Sequence, residues 1–182
     1  MTAALVLIDL QNDYFPGGRM ELVGADAAVG QAARLLAAFR QRGRPVIHVQ
    51  HVSTRAGATF FLPDTAGVQI HAAVQPQAGE AVVVKHFPNA FRETGLQAAL
   101  RDAGVTKLVF AGMMTHMCVD TTVRAAADLG WPCQIAHDAC ATRDLQFGGA
   151  PVAAAEVQLA FLAALNGAFA AVRPTAELAA EP

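Results

Sequence analysis

Three residue types that together suit covalent hydrolysis occur at separate places in the chain: a carboxylate at Asp9, an amine at Lys85 and a thiol at Cys118. A thiol becomes a strong nucleophile when a cation lies beside it, and a carboxylate can take its proton and return it to a leaving amine. Alone, each residue is ordinary, as a turn anchor, a solvated amine or a small buried packing residue. Their shared position behind apolar runs favours a shared chemical role.

The apolar runs are continuous rather than alternating, which is typical of parallel strands covered on both faces. Segments with helical spacing lie between them, so strand and helix alternate along the chain. This pattern predicts an α/β fold, a three-layer α/β/α sandwich with an open, mostly parallel, five- or six-stranded doubly wound sheet, as a single domain over residues 1–182. The predicted strands are 5–8, 46–49, 81–84, 108–111, 133–136 and a weaker one near 168–172, and the predicted helices are 25–42, 94–103, 115–129 and 151–166.

Sheets of this kind bind ligands at the carboxyl ends of their strands. Asp9 directly follows the first predicted strand, Lys85 follows the third, and Cys118 lies in the first turn of the helix after the fourth. We therefore expect the three side chains to meet at one edge of the sheet. Backbone N–H groups in the turn that begins at the expected N-cap Thr115 have no partner within the helix, so they are candidates to hold a tetrahedral oxyanion.

Longer stretches around the three residues carry a more specific signal. They are Leu7-Ile8-Asp9-Leu10-Gln11-Asn12-Asp13-Tyr14-Phe15, Val84-Lys85-His86-Phe87-Pro88-Asn89-Ala90-Phe91 and Gly112-Met113-Met114-Thr115-His116-Met117-Cys118-Val119. Together they resemble the isochorismatase-like cysteine hydrolases, a family that includes nicotinamidases and carbamoyl-amine amidohydrolases, and the resemblance covers nearly the whole chain. It implies that Asp9, Lys85 and Cys118 form a catalytic triad. It also implies an oxyanion hole of the Met114 and Cys118 backbone N–H groups, and a cis peptide between Met113 and Met114.

Two departures from the family limit what it implies here. Nicotinamidases hold a divalent metal through an Asp and His residues just after the second strand, whereas this chain reads Val49-Gln50-His51-Val52 and lacks that Asp. We therefore predict no metal and no cofactor, although His51, His71 and His86 remain as open candidates for metal binding. Family members that cleave the vinyl ether of isochorismate lack the nucleophilic cysteine, which is present here as Cys118.

Five further residues are candidates for substrate binding: Gln11, Phe15, Phe60, Phe61 and His116. His116 lies two residues before the thiol, and Phe60 and Phe61 belong to a long irregular segment, 51–79. A segment of that length in a compact domain is often a lid or a binding loop.

Composition excludes several other classes of protein. With 182 residues, 54% of them hydrophobic, the chain is too apolar for a disordered segment, and a net charge of −2 argues against nucleic acid as a partner. Charged residues make up 15%, below the roughly 25% typical of soluble domains. That shortfall predicts a buried interface in a homo-oligomer, a dimer or a tetramer. The three cysteines lack the spacing of a metal site, and the sequence shows neither a secretory signal nor an apolar run long enough for a membrane span. These features predict a cytoplasmic protein. The expected partner is a small-molecule substrate.

The sequence thus predicts a hydrolase that cleaves a carbon–nitrogen bond of a small amide, carbamoyl or lactam compound through a thioester on Cys118. Two alternatives stay open. One is a hydrolase of the same fold that opens an ether or a ring without a covalent step, and the other is a non-catalytic binding or thiol-sensing protein. Asp9 and Lys85 beside the thiol favour the amide hydrolase, because a sensor has no evident need for them.

Overall fold

The computed structural model describes residues 2–181, so Met1 and Pro182, the ends of the predicted domain, lie outside the described residues. Its strands are β1 (Ala3–Ile8), β2 (Val46–His51), β3 (Ala81–Lys85), β4 (Lys107–Met113), β5 (Cys133–Ala141), β6 (Leu145–Phe147), β7 (Ala150–Val152) and β8 (Ala171–Arg173). Six of them form one parallel sheet in the order β3-β2-β1-β4-β5-β8. The predicted doubly wound sheet is confirmed, with six strands.

Helices cover both faces of this sheet. One face packs against α1 (Ala25–Gln41) and α5 (Thr175–Ala180), and the other packs against α2 (Leu96–Asp102), α3 (Asp120–Asp128) and α4 (Ala154–Leu165). Successive residues of β1 alternate between the two cores, which explains why the whole strand is buried and why it is continuously apolar in sequence. The three predicted layers are therefore present.

One predicted helix cap and one predicted helix start are wrong. Helical structure does begin at Thr115, as a π-helical turn (Thr115–Val119) that continues into α3, but Thr115 is not its cap: the Thr115 hydroxyl donates a hydrogen bond to the Ala141 carbonyl. Pro151 does not open α4 but lies in β7, paired with β6 in a small antiparallel hairpin. The helix starts at Ala154, whose N–H donates to the Asp144 carboxylate at 2.7 Å. A carboxylate distant in sequence caps the helix, so the local proline signal placed the start too early.

β1 and β4 approach each other closely at their carboxyl ends. Gly112 in β4 has a φ of +141°, and a Cβ at this position would lie 2.0 Å from the Ile8 carbonyl oxygen. Only glycine allows this approach. The end of β4, and with it the turn that carries Cys118, is thereby brought beside the end of β1.

Among residues 2–181, no helix has both the length and the apolar character needed to cross a bilayer. The most exposed large apolar side chains among the described residues are Phe147 in the hairpin, at 86%, and Leu159 on α4, at 72%. The homo-oligomer stays a prediction.

Candidate active site

The ammonium group of Lys85 lies at the centre of the site. Its Nζ is 2.7 Å from Asp9 Oδ2, 3.3 Å from Cys118 Sγ and 2.9 Å from His51 Nδ1. An ammonium has three N–H donors and no acceptor, so three neighbours account for its full capacity. Asp9 and Lys85 are wholly buried, and Cys118 is 5% exposed. We call Asp9, His51, Lys85 and Cys118 the Lys85 cluster.

Each member of the Lys85 cluster comes from the carboxyl end of a different strand. Asp9 follows β1 with a positive φ of 50°, a left-handed conformation unusual for a residue with a side chain. His51 and Lys85 end β2 and β3 and are partners in the parallel register. Cys118 lies in the π-helical turn after β4. The expectation that the acid, the amine and the thiol meet at one sheet edge is thus met by the structure.

Potential metal ligands also converge here, because one donor atom each of Asp9, His51 and Cys118 lies within 4.8 Å of the others. The Lys85 ammonium touches all three residues. These donor atoms therefore surround a positive charge supplied by the chain itself.

Burial dominates the ionisation of the thiol. It raises the pKa of Cys118 well above the usual range, the Asp9 carboxylate adds to the rise, and the Lys85 ammonium opposes it only in part. A neighbouring cation by itself lowers the pKa of a thiol, but burial outweighs that effect in the resting site. Cys118 rests as a neutral thiol, so a base must take its proton when it attacks, and Asp9 is the carboxylate beside it.

The pKa values of Lys85 and His51 shift in opposite directions. Burial lowers the pKa of Lys85, but the negative charge of Asp9, with the contacts to Asp9 and Cys118, outweighs it, so that pKa lies above its usual value. Burial lowers the pKa of His51 to about 4, and the Lys85 charge acts in the same direction. At neutral pH the cluster therefore holds an ammonium and a neutral imidazole.

A cavity of about 730 Å³ lies over the cluster, and both Cys118 and His51 line it. The first part of the 51–79 segment forms one wall, from His51 to Phe61, and Tyr14, Phe87 and Met117 are among the other lining residues. The lining of the cavity as a whole is largely apolar, as is usual for small-molecule sites. The second part of the segment packs on the core through Val68, Ile70 and Val74.

Comparison with known proteins agrees with this site. A model of the isochorismatase domain family matches residues 3–177. The isochorismatase family protein YddQ of Bacillus subtilis (strain 168) is 51% identical over 175 residues, which is 96% of this chain and 97% of that protein.

The chain belongs to the isochorismatase family.

Further similarities extend this result. A crystal structure from Oleispira antarctica assigned to the isochorismatase hydrolases has a TM-score of 0.96 and 54% identity, covering 99% of this chain and 97% of that chain. The ureidoacrylate amidohydrolase RutB of Variovorax paradoxus (strain S110) is 29% identical over 188 residues, covering 85% of this chain and 73% of that protein. The family is one of hydrolases, and enzymes that act on amide carbon–nitrogen bonds are among its members.

In this isochorismatase-family chain the two residues of the predicted oxyanion hole lie next to the cavity. The Met113–Met114 peptide is cis, as predicted. Met114 and Cys118 both line the cavity. The Val119 N–H donates to the Met114 carbonyl, which closes the π-helical turn that carries Cys118. The role of both N–H groups in catalysis stays a prediction.

The five predicted substrate-binding residues divide into two groups. Phe60 and Phe61 line the cavity. Gln11, Phe15 and His116 are not part of its lining and make other contacts. The Phe15 ring stacks on His71 at 4.1 Å between centroids, and the His116 Nδ1 contacts the Thr142 hydroxyl.

Gln11 fixes the end of β2 instead of facing the cavity. Its Oε1 accepts from the His51 N–H at 2.8 Å, and its Nε2 donates to the carbonyls of His51 at 2.9 Å and Val68 at 2.7 Å. A single buried carboxamide thus holds both backbone groups of His51.

Sequence reasoning missed two residues of the site. His51 was considered only as a metal ligand, although it follows the second apolar run as Asp9 and Lys85 follow theirs. Arg143, which comes soon after β5, also lines the cavity, and its buried Nε has no hydrogen-bond partner among residues 2–181. The signal for both was their place behind a strand, where the fold collects functional groups.

Proposed function

We propose that the protein hydrolyses a carbon–nitrogen bond of a small amide, carbamoyl or lactam compound through a thioester on Cys118. The observation that carries the proposal is the buried Lys85 ammonium, in contact with both the Asp9 carboxylate and the Cys118 sulfur at the floor of a cavity. Membership of a hydrolase family that includes amidohydrolases supports the same reaction class.

The first half of the reaction forms the acyl-enzyme. Asp9 takes the Cys118 proton as the sulfur attacks the substrate carbonyl carbon, and the Lys85 ammonium stabilises the charge that develops on the sulfur. The Met114 and Cys118 N–H groups hold the tetrahedral oxyanion. Asp9 then gives its proton to the leaving nitrogen, the carbon–nitrogen bond breaks, and the amine or ammonia departs.

Water completes the cycle. Asp9 takes a proton from water as the water oxygen attacks the thioester carbon, and the carbon–sulfur bond breaks with return of the proton to Cys118. The products are a carboxylic or carbamic acid and the free thiol. The Cys118 nucleophile distinguishes this route from ether cleavage without a covalent step, and turnover distinguishes it from a thiol sensor.

The test compares wild type, Cys118→Ala and Cys133→Ala for release of ammonia or amine from a panel of small amides. The panel should include carboxylate-bearing members, because Arg55 and Arg143 line the cavity and no Asp or Glu does so within the described chain. We expect turnover by wild type and Cys133→Ala and none by Cys118→Ala, with an acyl adduct on Cys118 in the intact mass after a rapid acid quench. Equal turnover by Cys118→Ala, or ring or ether opening without an adduct, would overturn the proposal.

A further inference from the structure

His51 touches both the catalytic machinery and the space where a substrate would lie. Its Nδ1 is 2.9 Å from Lys85 Nζ, and its ring lines the cavity. Lys85 is fully buried and is not part of the cavity lining. The Nδ1 atom of the imidazole is therefore engaged with the buried ammonium, which leaves Nε2 as the ring nitrogen available to a molecule in the cavity.

The contact with Lys85 also fixes where the imidazole carries its proton. An ammonium can only donate, so Nδ1 must accept, and a neutral imidazole then has its single proton on Nε2. Burial and the neighbouring ammonium lower the pKa of His51 to about 4, which keeps the ring neutral at physiological pH. The groups facing this ring are the Lys85 ammonium, the Asp9 carboxylate, the Cys118 thiol and His86.

The Lys85 ammonium cannot polarise a substrate by itself. It is fully buried, it does not line the cavity, and Asp9, Cys118 and His51 already surround it. The His51 Nε2–H is different, because no hydrogen bond to this atom is formed within residues 2–181, and a nitrogen of the same ring lies within 4.8 Å of the Cys118 sulfur. The Gln11 carboxamide holds both backbone groups of His51, so the ring starts from a fixed position.

We propose that His51 is a further catalytic residue of this site: Nδ1 holds the Lys85 ammonium in place, and Nε2–H donates a hydrogen bond to the amide group of the substrate. The inference rests on the proposed function, since it needs an amide bound over Cys118. No proton leaves the imidazole. Its contribution is a preorganised donor that the amide meets in a site shielded from bulk water.

Two substitutions separate the two edges of the ring. Asn in place of histidine puts an amide oxygen near the Nδ1 position and has nothing at Nε2, whereas Gln reaches the Nε2 position and leaves Nδ1 empty. His51→Asn should lower kcat by about 100-fold, with KM within about threefold of wild type and an unchanged urea midpoint of unfolding. His51→Gln should keep more of kcat than His51→Asn but lower the urea midpoint, because the buried ammonium loses one acceptor.

His137→Asn is the matched control, since His137 lies on β5 outside the cavity lining and should keep both kcat and the urea midpoint. A histidine with only a structural role would make the loss of kcat follow the loss of stability in both His51 variants. That result, or a His51→Asn enzyme with kcat within about threefold of wild type, would overturn the inference.

A second measurement does not depend on turnover. Nitrogen-15 NMR of the resting enzyme between pH 5.5 and 8 should show His51 as the neutral Nε2–H tautomer throughout. An Nδ1–H tautomer or an imidazolium at pH 6 would overturn the inference even if the enzyme hydrolyses amides. A wild-type protein that turns over no amide, with the expected tautomer present, would instead overturn the proposed function and with it donation to substrate.

Discussion

Each end of β3 has its own set of a carboxylate, a cation and an imidazole in contact, and the two sets serve different purposes. At the carboxyl end lies the Lys85 cluster. At the amino end, Glu80 contacts Arg40 of α1 and His48 of β2, and we call these three residues the Glu80 cluster. The Glu80 Oε1 is 2.7 Å from Arg40 Nε, and Oε2 accepts from Arg40 Nη2 at 2.8 Å, from the Gln77 N–H at 2.8 Å and from His48 Nε2 at 2.9 Å.

The difference lies in how completely each carboxylate is satisfied. Both oxygens of Glu80 have hydrogen-bond partners, and the bond from Arg40 is the main reason that the pKa of Glu80 falls to about 2. Neither oxygen of Asp9 forms a hydrogen bond within the described residues, although Oδ2 is ion-paired with Lys85 Nζ at 2.7 Å, and the neighbouring Cys118 thiol lies beneath a cavity. A satisfied carboxylate stabilises the fold, whereas one with spare acceptor capacity beside a nucleophile can move a proton.

The largest effect should come from removing the base. Asp9→Asn keeps the shape of the side chain but cannot take the thiol proton, so we expect kcat/KM to fall by about 10³-fold. Glu80→Gln is the matched change at the other end of β3 and should leave kcat within about twofold, because Glu80 does not line the cavity. Steady-state amide hydrolysis measures both variants. Comparable losses in the two would remove the functional distinction between the clusters.

Removing the buried cation should cost stability as well as activity. Lys85→Met leaves the Asp9 carboxylate buried without its partner, and we expect the free energy of unfolding to fall by about 3–5 kcal/mol. Adding Asp9→Asn should recover most of that loss and none of the activity. Lys107→Met, which breaks the more exposed pair with Glu181, is the control and should cost about 1 kcal/mol or less. Urea unfolding of the four proteins tests this, and a Lys85→Met protein as stable as wild type would contradict it.

The Glu80 cluster should give a smaller effect that depends on pH. Glu80→Gln should lower the free energy of unfolding by about 1–3 kcal/mol at pH 7, since three donors lose a charged acceptor. The folded pKa of about 2 lies below the ordinary 4.5, so the contribution of Glu80 is present above pH 4.5 and is lost as the pH falls towards 2. Urea unfolding at pH 7, 4.5 and 3 should show the two proteins converging. An undiminished difference at pH 3 would show that the charge of Glu80 is not the cause.

The smallest effect concerns the thiols. Iodoacetamide should modify Cys118 about tenfold faster than Cys133 or Cys140, because Cys118 lines the cavity and the other two do not. Burial raises the pKa of Cys133 and of Cys140 to about 12, and it also raises the pKa of Cys118 above its usual range. Labelling of Cys118 should therefore keep rising with pH from 7 to 9. Peptide mapping against time checks the order, and a plateau below pH 8 would mean that the resting thiol is ionised.

Much of the fold and the centre of the site could be predicted from local sequence. Runs such as residues 5–8 and 108–111 are strands because they are buried on both faces, and this burial is visible as continuous apolar character. Asp9, Lys85 and Cys118 follow such runs, and the rule that parallel strands present their carboxyl ends at one edge brings them together. The start of α4 could not be predicted this way, because α4 is capped by Asp144 on the far side of a hairpin.

The sequence by itself determined the strand–helix alternation and the acid, amine and thiol at one sheet edge, since both depend on residue type and order alone. Only the tertiary structure decided that His51 completes the shell of the ammonium, that Gln11 holds His51 rather than a substrate, and that the resting thiol is neutral. These properties depend on which side chains surround a buried group. Such neighbours come from distant parts of the chain, and the balance between desolvation and nearby charge is set only once they are packed together.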